Sequence, residues 1–251
     1  MPLREHLREL RRRLMKAGLA IIVGAVVGWF CYDWLFVKLQ QPLNHAGGKV
    51  NFDEPMGPFN LRLRLSMYLG IVLSSPVWLY QLWAFIVPGL TKREKRYSFG
   101  FVAAGVPLLL AGIYLAWLTL PNALNFFLGF APGGTTQLIS AEVYFTFVTR
   151  LMLTFAVAML LPLLLVALNM AGVLSHHAMA KGWRVAVFLI FLFAAVASPT
   201  PDAGSMLILA APMVVLYVVA VGIAWWVDRR RALRHAASSF AGLADDEASP
   251  L

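Results

Sequence analysis

Residues 75–97 read SPVWLYQLWAFIVPGLTKREKRY. The stretch from Ser75 to Val87 carries no formal charge, and Pro88-Gly89 then breaks it. Four cations follow at once, Lys92, Arg93, Lys95 and Arg96, with one acid, Glu94, among them. A charge-free run that ends in a turn and a cationic loop is what a helix looks like where it leaves a bilayer on the cytoplasmic side. Extended backwards, the run makes a span of about Leu63 to Val87. Pro76 inside it removes a helix hydrogen bond and predicts a kink.

The rest of the chain has the same character. Of 251 residues, 60% are hydrophobic and 13% charged, whereas soluble domains carry about a quarter charged residues. Several charge-free runs are long enough to cross a membrane as helices. They are continuously apolar and do not alternate, which excludes a β-barrel. The fold class is therefore an all-α polytopic membrane protein. The net charge of +9 is read as loop charge beside membrane helices and not as a nucleic-acid footprint. The one cysteine, Cys31, rules out an intramolecular disulfide. No cleavable-signal pattern precedes the first apolar run, so that run is expected to be a retained helix.

Six spans are expected, at about 15–36, 63–87, 99–120, 145–168, 185–197 and 206–227. The fifth and sixth are expected to be short, the fifth at about 13 residues against the roughly 20 a crossing needs. External connections are expected over 37–60, which holds Gly47-Gly48 and Pro55 to Pro58, and from Pro121 through APGGTTQ (Ala131 to Gln137). SHHAMAKGWR (Ser175 to Arg184) reads as a polar loop and SPTPDAGS (Ser198 to Ser205) as a tight external turn. The uncharged stretch 97–141 has room for two spans, but a seventh span would place the cationic C-terminal flank outside.

Cations set the orientation. Six lie in the N-terminal arm, four in the loop at 92–96, two at Lys181 and Arg184, and four at Arg229, Arg230, Arg231 and Arg234. Only Lys38, Lys49, Arg62, Arg64 and Arg150 fall on the other side. Both termini are thus expected in the cytoplasm. One six-helix domain, 1–230, is expected to begin with an amphipathic arm, 1–14, that lies on the membrane before turning in. Residues 231–251 read as a disordered cytoplasmic tail.

Catalytic chemistry finds little support. None of the histidines, His6, His45, His176, His177 and His235, lies inside an apolar span, and no H-E-x-x-H occurs. His176-His177 reads as a solvated loop pair. The span centres offer only neutral groups, Ser74, Ser75, Gln81, Thr154 and Asn169, which argues against a coupled ion carrier. Asn169 is expected to make a helix–helix hydrogen bond. No cofactor or metal is implied.

The informative charges are the acids in the cationic segments. In REHLRELRRRL (Arg4 to Leu14), Leu7, Leu10 and Leu14 share a face with Leu3, and Glu9 stands among arginines. Glu9 can pair locally with Arg12 or Arg13, and Glu94 with Lys95 or Arg96; either can instead await a cation from outside. Asp202 can serve the N-terminal dipole of the sixth span, with Thr200 as cap and Pro201 in the first turn.

HLRELRRRL and SPVWLYQLWAFIVPGLTKREKRY resemble the N-terminal motif, second span and following loop of the TatC family, the core subunit of the twin-arginine protein translocase. SPTPDAGS resembles the last external turn of that family. The resemblance implies a non-enzymatic core subunit that binds twin-arginine signal peptides. With single-span partners of the TatA or TatB type it would move folded proteins across the bacterial cytoplasmic membrane on the proton gradient. It implies a homo-oligomer within the complex. It makes Glu9 and Glu94 the receptors of the arginine pair, with Arg11 and Phe85 beside them. It assigns Pro201, Asp202 and Ser205 to the external turn and partner contact. A carboxylate pairs with guanidinium through two parallel hydrogen bonds, and surrounding cations repel basic sequences that lack the pair.

Two positions depart from the family pattern. Leu160, two residues before Pro162, stands where a glutamate or other polar residue is usual, and Met206 where a glutamine follows the serine. Neither Leu160 nor Met206 offers the polar side chain that the family pattern places there. A small-solute transporter, an intramembrane enzyme and a relative that has lost transport are the competing readings.

Overall fold

The computed structural model describes residues 3–86, 95–130, 138–198 and 203–240. Glu94, Pro201 and Asp202 lie outside the described residues, as does the whole of 87–94. The order is α1 (Leu3–Phe30), α2 (Tyr32–His45), β1 (Lys49–Asn51), α3 (Gly57–Leu73), α4 (Ser75–Ile86), α5 (Lys95–Leu128), β2 (Leu138–Ser140), α6 (Ala141–Met170), α7 (His176–Lys181), α8 (Trp183–Ala197) and α9 (Ala203–Phe240).

Within α1, α5, α6 and α9 are stretches long and apolar enough to cross a bilayer, and α3 with α4 forms a pair bent by 58°. The bend falls where Pro76 predicts it. Ser74 closes α3, its N–H donating 3.0 Å to Gly70 O. The carbonyl of Ile71 would have served the next turn, and it accepts from the Trp78 indole at 2.8 Å instead. A helix break normally leaves such an acceptor bare; here the Trp78 indole satisfies it, with the Ser74 hydroxyl as a longer second donor at 3.5 Å. Where a short fifth span was expected, α8 is an apolar helix of 15 residues, shorter than the helices long enough to cross a bilayer. The sixth is not short: α9 has 38 residues and runs ten past the expected boundary at 230. No glycine or proline follows Gly222 before Phe240 to end it.

Other boundaries also differ from expectation. The arm and the first span are one continuous helix, α1, with no turn between them, because Leu3 to Lys16 contains neither glycine nor proline. The first span stops at Phe30, not at residue 36. Cys31 leaves helical geometry at ψ 0°, and α2 departs from there. The expected external loop 37–60 thus holds much of a second helix and a strand. Pro121 does not end the third span; it lies inside α5 with Pro107, and 97–128 is one helix and not two. Ser175 caps α7, accepting from Ala178 N–H at 3.3 Å, so the loop 175–184 contains a turn of helix.

An all-α chain was expected, yet β1 and β2 pair in parallel, Val50 opposite Ile139. They join the two connections that the topology brings to one end of the bundle. Beside them α2 is fixed to α6: Tyr144 Oη donates 2.6 Å to Leu39 O, and Phe36 stacks on Phe145 at 4.9 Å.

Helices α1 and α3 cross in close backbone contact. Gly24 and Gly28, four apart, meet Ser66 and Gly70. A Cβ on Gly24 would stand 2.8 Å from Gly70 O, one on Gly28 2.7 Å from Ser66 O, and one on Gly70 2.7 Å from Ile21 O. Small residues at this spacing let helix backbones touch in a membrane. Gly112 does the same for α5 against Phe155 and Ala156 of α6. The core gathers around α6, whose Phe145, Val148 and Phe155 are fully buried. The outward faces keep large apolar residues exposed, among them Ile22 and Val26 on α1 and Val215 and Val218 on α9.

Candidate functional site

Chain succession collects on one face the start of α1, the end of α4, the start of α5, the α6–α7 junction and the far end of α9. Helical spacing stacks Arg8 over Arg12 and Glu9 over Arg13 on α1. Arg13 Nε donates 2.9 Å to Glu9 Oε1, and Arg13 Nη2 donates to the same oxygen. The local pair with Arg13 is therefore formed. Both donors fall on Oε1, and the two side chains keep 29% and 24% of their exposure, Glu9 and Arg13 respectively. Glu9 lines an open groove of about 400 Å³ with Arg8, Arg12, Arg13, Lys16 and Gln81. Gln81 comes from α4, so the groove exists because α4 crosses α1 at this level. Phe85, one turn further along α4, is half-buried and engaged in a contact of its own. Arg11 is exposed and lines a second groove of about 630 Å³, whose floor is Met15, Leu19 and Ile22.

A second polar cluster on this face was not read from the sequence. Asp228 Oδ2 accepts from the His176 backbone N–H at 2.9 Å and lies 3.0 Å from His176 Nδ1. Asp228 Oδ1 accepts from Asn169 Nδ2 at 3.1 Å, and that amide also reaches Leu174 O at 2.8 Å. Asn169 does make the helix–helix bond expected of it. His176 is not a solvated loop residue: a carboxylate sits at the start of α7, where helix N–H groups lack partners. No sequence pattern links positions 59 residues apart in this way.

On the opposite face, Arg62 lies over Trp29 at 4.7 Å and Tyr32 at 5.1 Å and donates 3.2 Å to Trp29 O. Arg64 bonds Glu142 at 2.8 Å and also reaches Thr146 Oγ1. Ser205, in the first turn of α9, is fully buried and engaged. Among the described residues no three His, Cys, Asp or Glu side chains come together to hold a metal, and Cys31 is a free, exposed thiol.

The chain is thus a helical membrane protein with a cation-rich face, on which an acid lies in an open groove. It matches the family model described as Sec-independent protein translocase protein (TatC) over residues 5–212, and it belongs to that family. A TatC protein of Xylanimonas cellulosilytica is 50% identical over 236 residues, 92% of this chain and 86% of its own. The chloroplastic TATC of Pisum sativum is 36% identical over 229 residues, 90% of this chain and 64% of its own. A crystal structure of the twin-arginine translocase receptor TatC superposes with a TM-score of 0.68 at 28% identity, covering 88% of this chain and 98% of that one. A second, in DDM, gives a TM-score of 0.71 at 28% identity, covering 87% and 99%. The chain is a translocase subunit, not an enzyme.

Proposed function

We propose that this chain is the receptor and core of a twin-arginine translocase, and that Glu9 and Glu94 bind the two arginines of a signal peptide. The carrying observation is the Glu9 carboxylate in an open groove between α1 and α4, in a chain of the TatC family. Glu94 follows α4 by eight residues, so its loop starts from the helix that supplies Gln81. Arg11 borders the neighbouring groove and Phe85 the end of α4. Arg11 would repel cationic sequences without the correct spacing, and Phe85 would pack the apolar part of the peptide beyond its arginines. The six-span topology has both termini in the cytoplasm, with α8 as the short fifth span and the bent pair α3–α4 as the second.

The protein would reside in the bacterial cytoplasmic membrane as a homo-oligomer with single-span TatA or TatB subunits and use the proton gradient. Pro201, Asp202 and Ser205 would shape the external turn. Ser205 is buried, so it would hold the turn's form while Pro201 and Asp202 meet the partner.

Site-specific photocrosslinking from positions 9 and 94 tests the reading. A signal peptide with Arg-Arg should crosslink at both, and one with Lys-Lys weakly. In a direct peptide assay Glu94→Ala should abolish binding and Lys92→Ala should not. Equal binding by wild type and Glu94→Ala would refute the assignment.

A further inference from the structure

Arg150 is placed nine residues into α6, about 13 Å along the helix from its external-turn end. Its side chain is exposed and has no ion pair or hydrogen bond among the described residues. The other arginines toward this end of the bundle differ: Arg64 is paired with Glu142, and Arg62 is covered by Trp29. A lone arginine at this depth is costly, and such residues mark sites that receive something.

Arg150 opens into a groove of about 690 Å³ between α6 and α8. One wall carries Glu142, Thr146, Arg150 and Thr154, and the other carries Phe193 and Val196. The threonines lie one turn either side of the arginine. A polar strip therefore faces an apolar one along the same channel, the shape needed for a headgroup joined to an acyl chain. The groove also reaches Ala197 and Ser198, where α8 ends. With 15 residues, α8 extends only about 22 Å against a hydrocarbon core of about 30 Å. A bilayer meeting so short a helix thins toward its ends. That draws the lipid phosphates down to the level of the one cation without a partner in the groove.

We infer that Arg150 and the α6–α8 groove bind an anionic phospholipid, its phosphodiester on the Arg150 guanidinium and one acyl chain along Phe193 and Val196. Guanidinium presents a planar donor fork that fits phosphate oxygens, and the bilayer supplies phosphate permanently at this depth. A lipid of net negative charge is favoured over a zwitterionic one, whose ammonium would lie beside Arg150. The inference requires α6 and α8 to lie in the bilayer; it does not depend on signal-peptide recognition.

The test uses the full chain in phosphatidylcholine nanodiscs doped with photoactivatable phosphatidylglycerol or, separately, photoactivatable phosphatidylcholine. Crosslinks are mapped by peptide. The phosphatidylglycerol-to-phosphatidylcholine ratio on residues 185–197 should be about tenfold higher in wild type than in Arg150→Gln, with Arg150→Lys between them. Crosslinks on the outer face of α9, at Val215 and Val218, should be the same in all three, showing that the fold survives. An equal ratio in wild type and Arg150→Gln overturns the inference. So does a groove that crosslinks to a co-reconstituted single-span partner and shows no preference between the lipids. Twin-arginine peptide binding measured on the same discs separates failure here from failure of the receptor reading.

Discussion

Glu9 can be held by Arg13 and still receive a ligand, because the energies differ and the bonds fall on one oxygen. A partly exposed i,i+4 pair contributes about 0.3–0.5 kcal/mol. Each charge-assisted bond to an incoming guanidinium is worth about 1.5–3 kcal/mol. Arg13 is then a weak internal competitor that holds the carboxylate in one orientation. Replacing it should help binding: Arg13→Gln is expected to raise the affinity for an Arg-Arg peptide about twofold, the size of the lost local pair. Glu9→Gln should lower it at least about tenfold by replacing a charged acceptor with a neutral one. Fluorescence anisotropy with a labelled peptide measures both, and weaker binding by Arg13→Gln would show that Arg13 belongs to the receptor itself. Of this site, the acid among cations and its i+4 partner were legible in the sequence, since both are local. Gln81 was visible only as a polar residue in an apolar run; its place beside Glu9 depends on how α4 crosses α1, which no local pattern encodes.

At the scale of elements, the sequence told most where one residue decides the geometry. Pro76 gave the bend between α3 and α4, and the charge-free length of 185–197 gave the short α8. It misled where membrane helices tolerate what soluble helices do not. Pro121 reads as a terminator, yet α5 carries it internally, because neighbouring helices in a membrane stabilise such positions. The break at Cys31 has no glycine or proline to announce it, and β1 and β2 are too short for a period to show. The glycine seam was there to be read, as Gly24 and Gly28 four apart, but its partner Gly70 is known only from the packing. Adding a side chain there must push two backbones apart. Gly70→Leu is expected to cost at least about 1–3 kcal/mol and to separate α1 from α3, carrying Glu9 away from Gln81. A thermal-unfolding scan in detergent should show a lowered Tm and the peptide assay reduced binding. Trp78→Phe is milder: it removes the shorter of two bonds to the Ile71 carbonyl, leaving Ser74 Oγ at 3.5 Å, and the loss should be about 1 kcal/mol with the bend retained.

Across the whole molecule the two faces are built differently. The cation-rich face is tied by Asp228, which joins α6, the start of α7 and α9 through one carboxylate. Asp228→Ala leaves Asn169 and the first turn of α7 without their shared acceptor. It should destabilise the protein by about 1–3 kcal/mol, read as lost amide-exchange protection over 169–181 with little change in α1. The opposite face ends at different heights, because α6 and α9 are long and α8 is not. A hydrocarbon core of about 30 Å is too thick for α8 by about 8 Å, and mismatch costs a fraction of a kcal/mol per Å, which the lipid relieves by thinning. If this thinned patch lowers the barrier to cargo, its depth matters and its sequence does not. Inserting about five leucines in α8 adds about 7.5 Å and nearly removes the mismatch. Transport of a folded twin-arginine substrate into inverted vesicles should then fall severalfold. Peptide binding at Glu9 should be unchanged, since α8 contributes nothing to that groove. Transport at the full rate with the lengthened α8 would show that thinning beside this helix plays no part in the crossing.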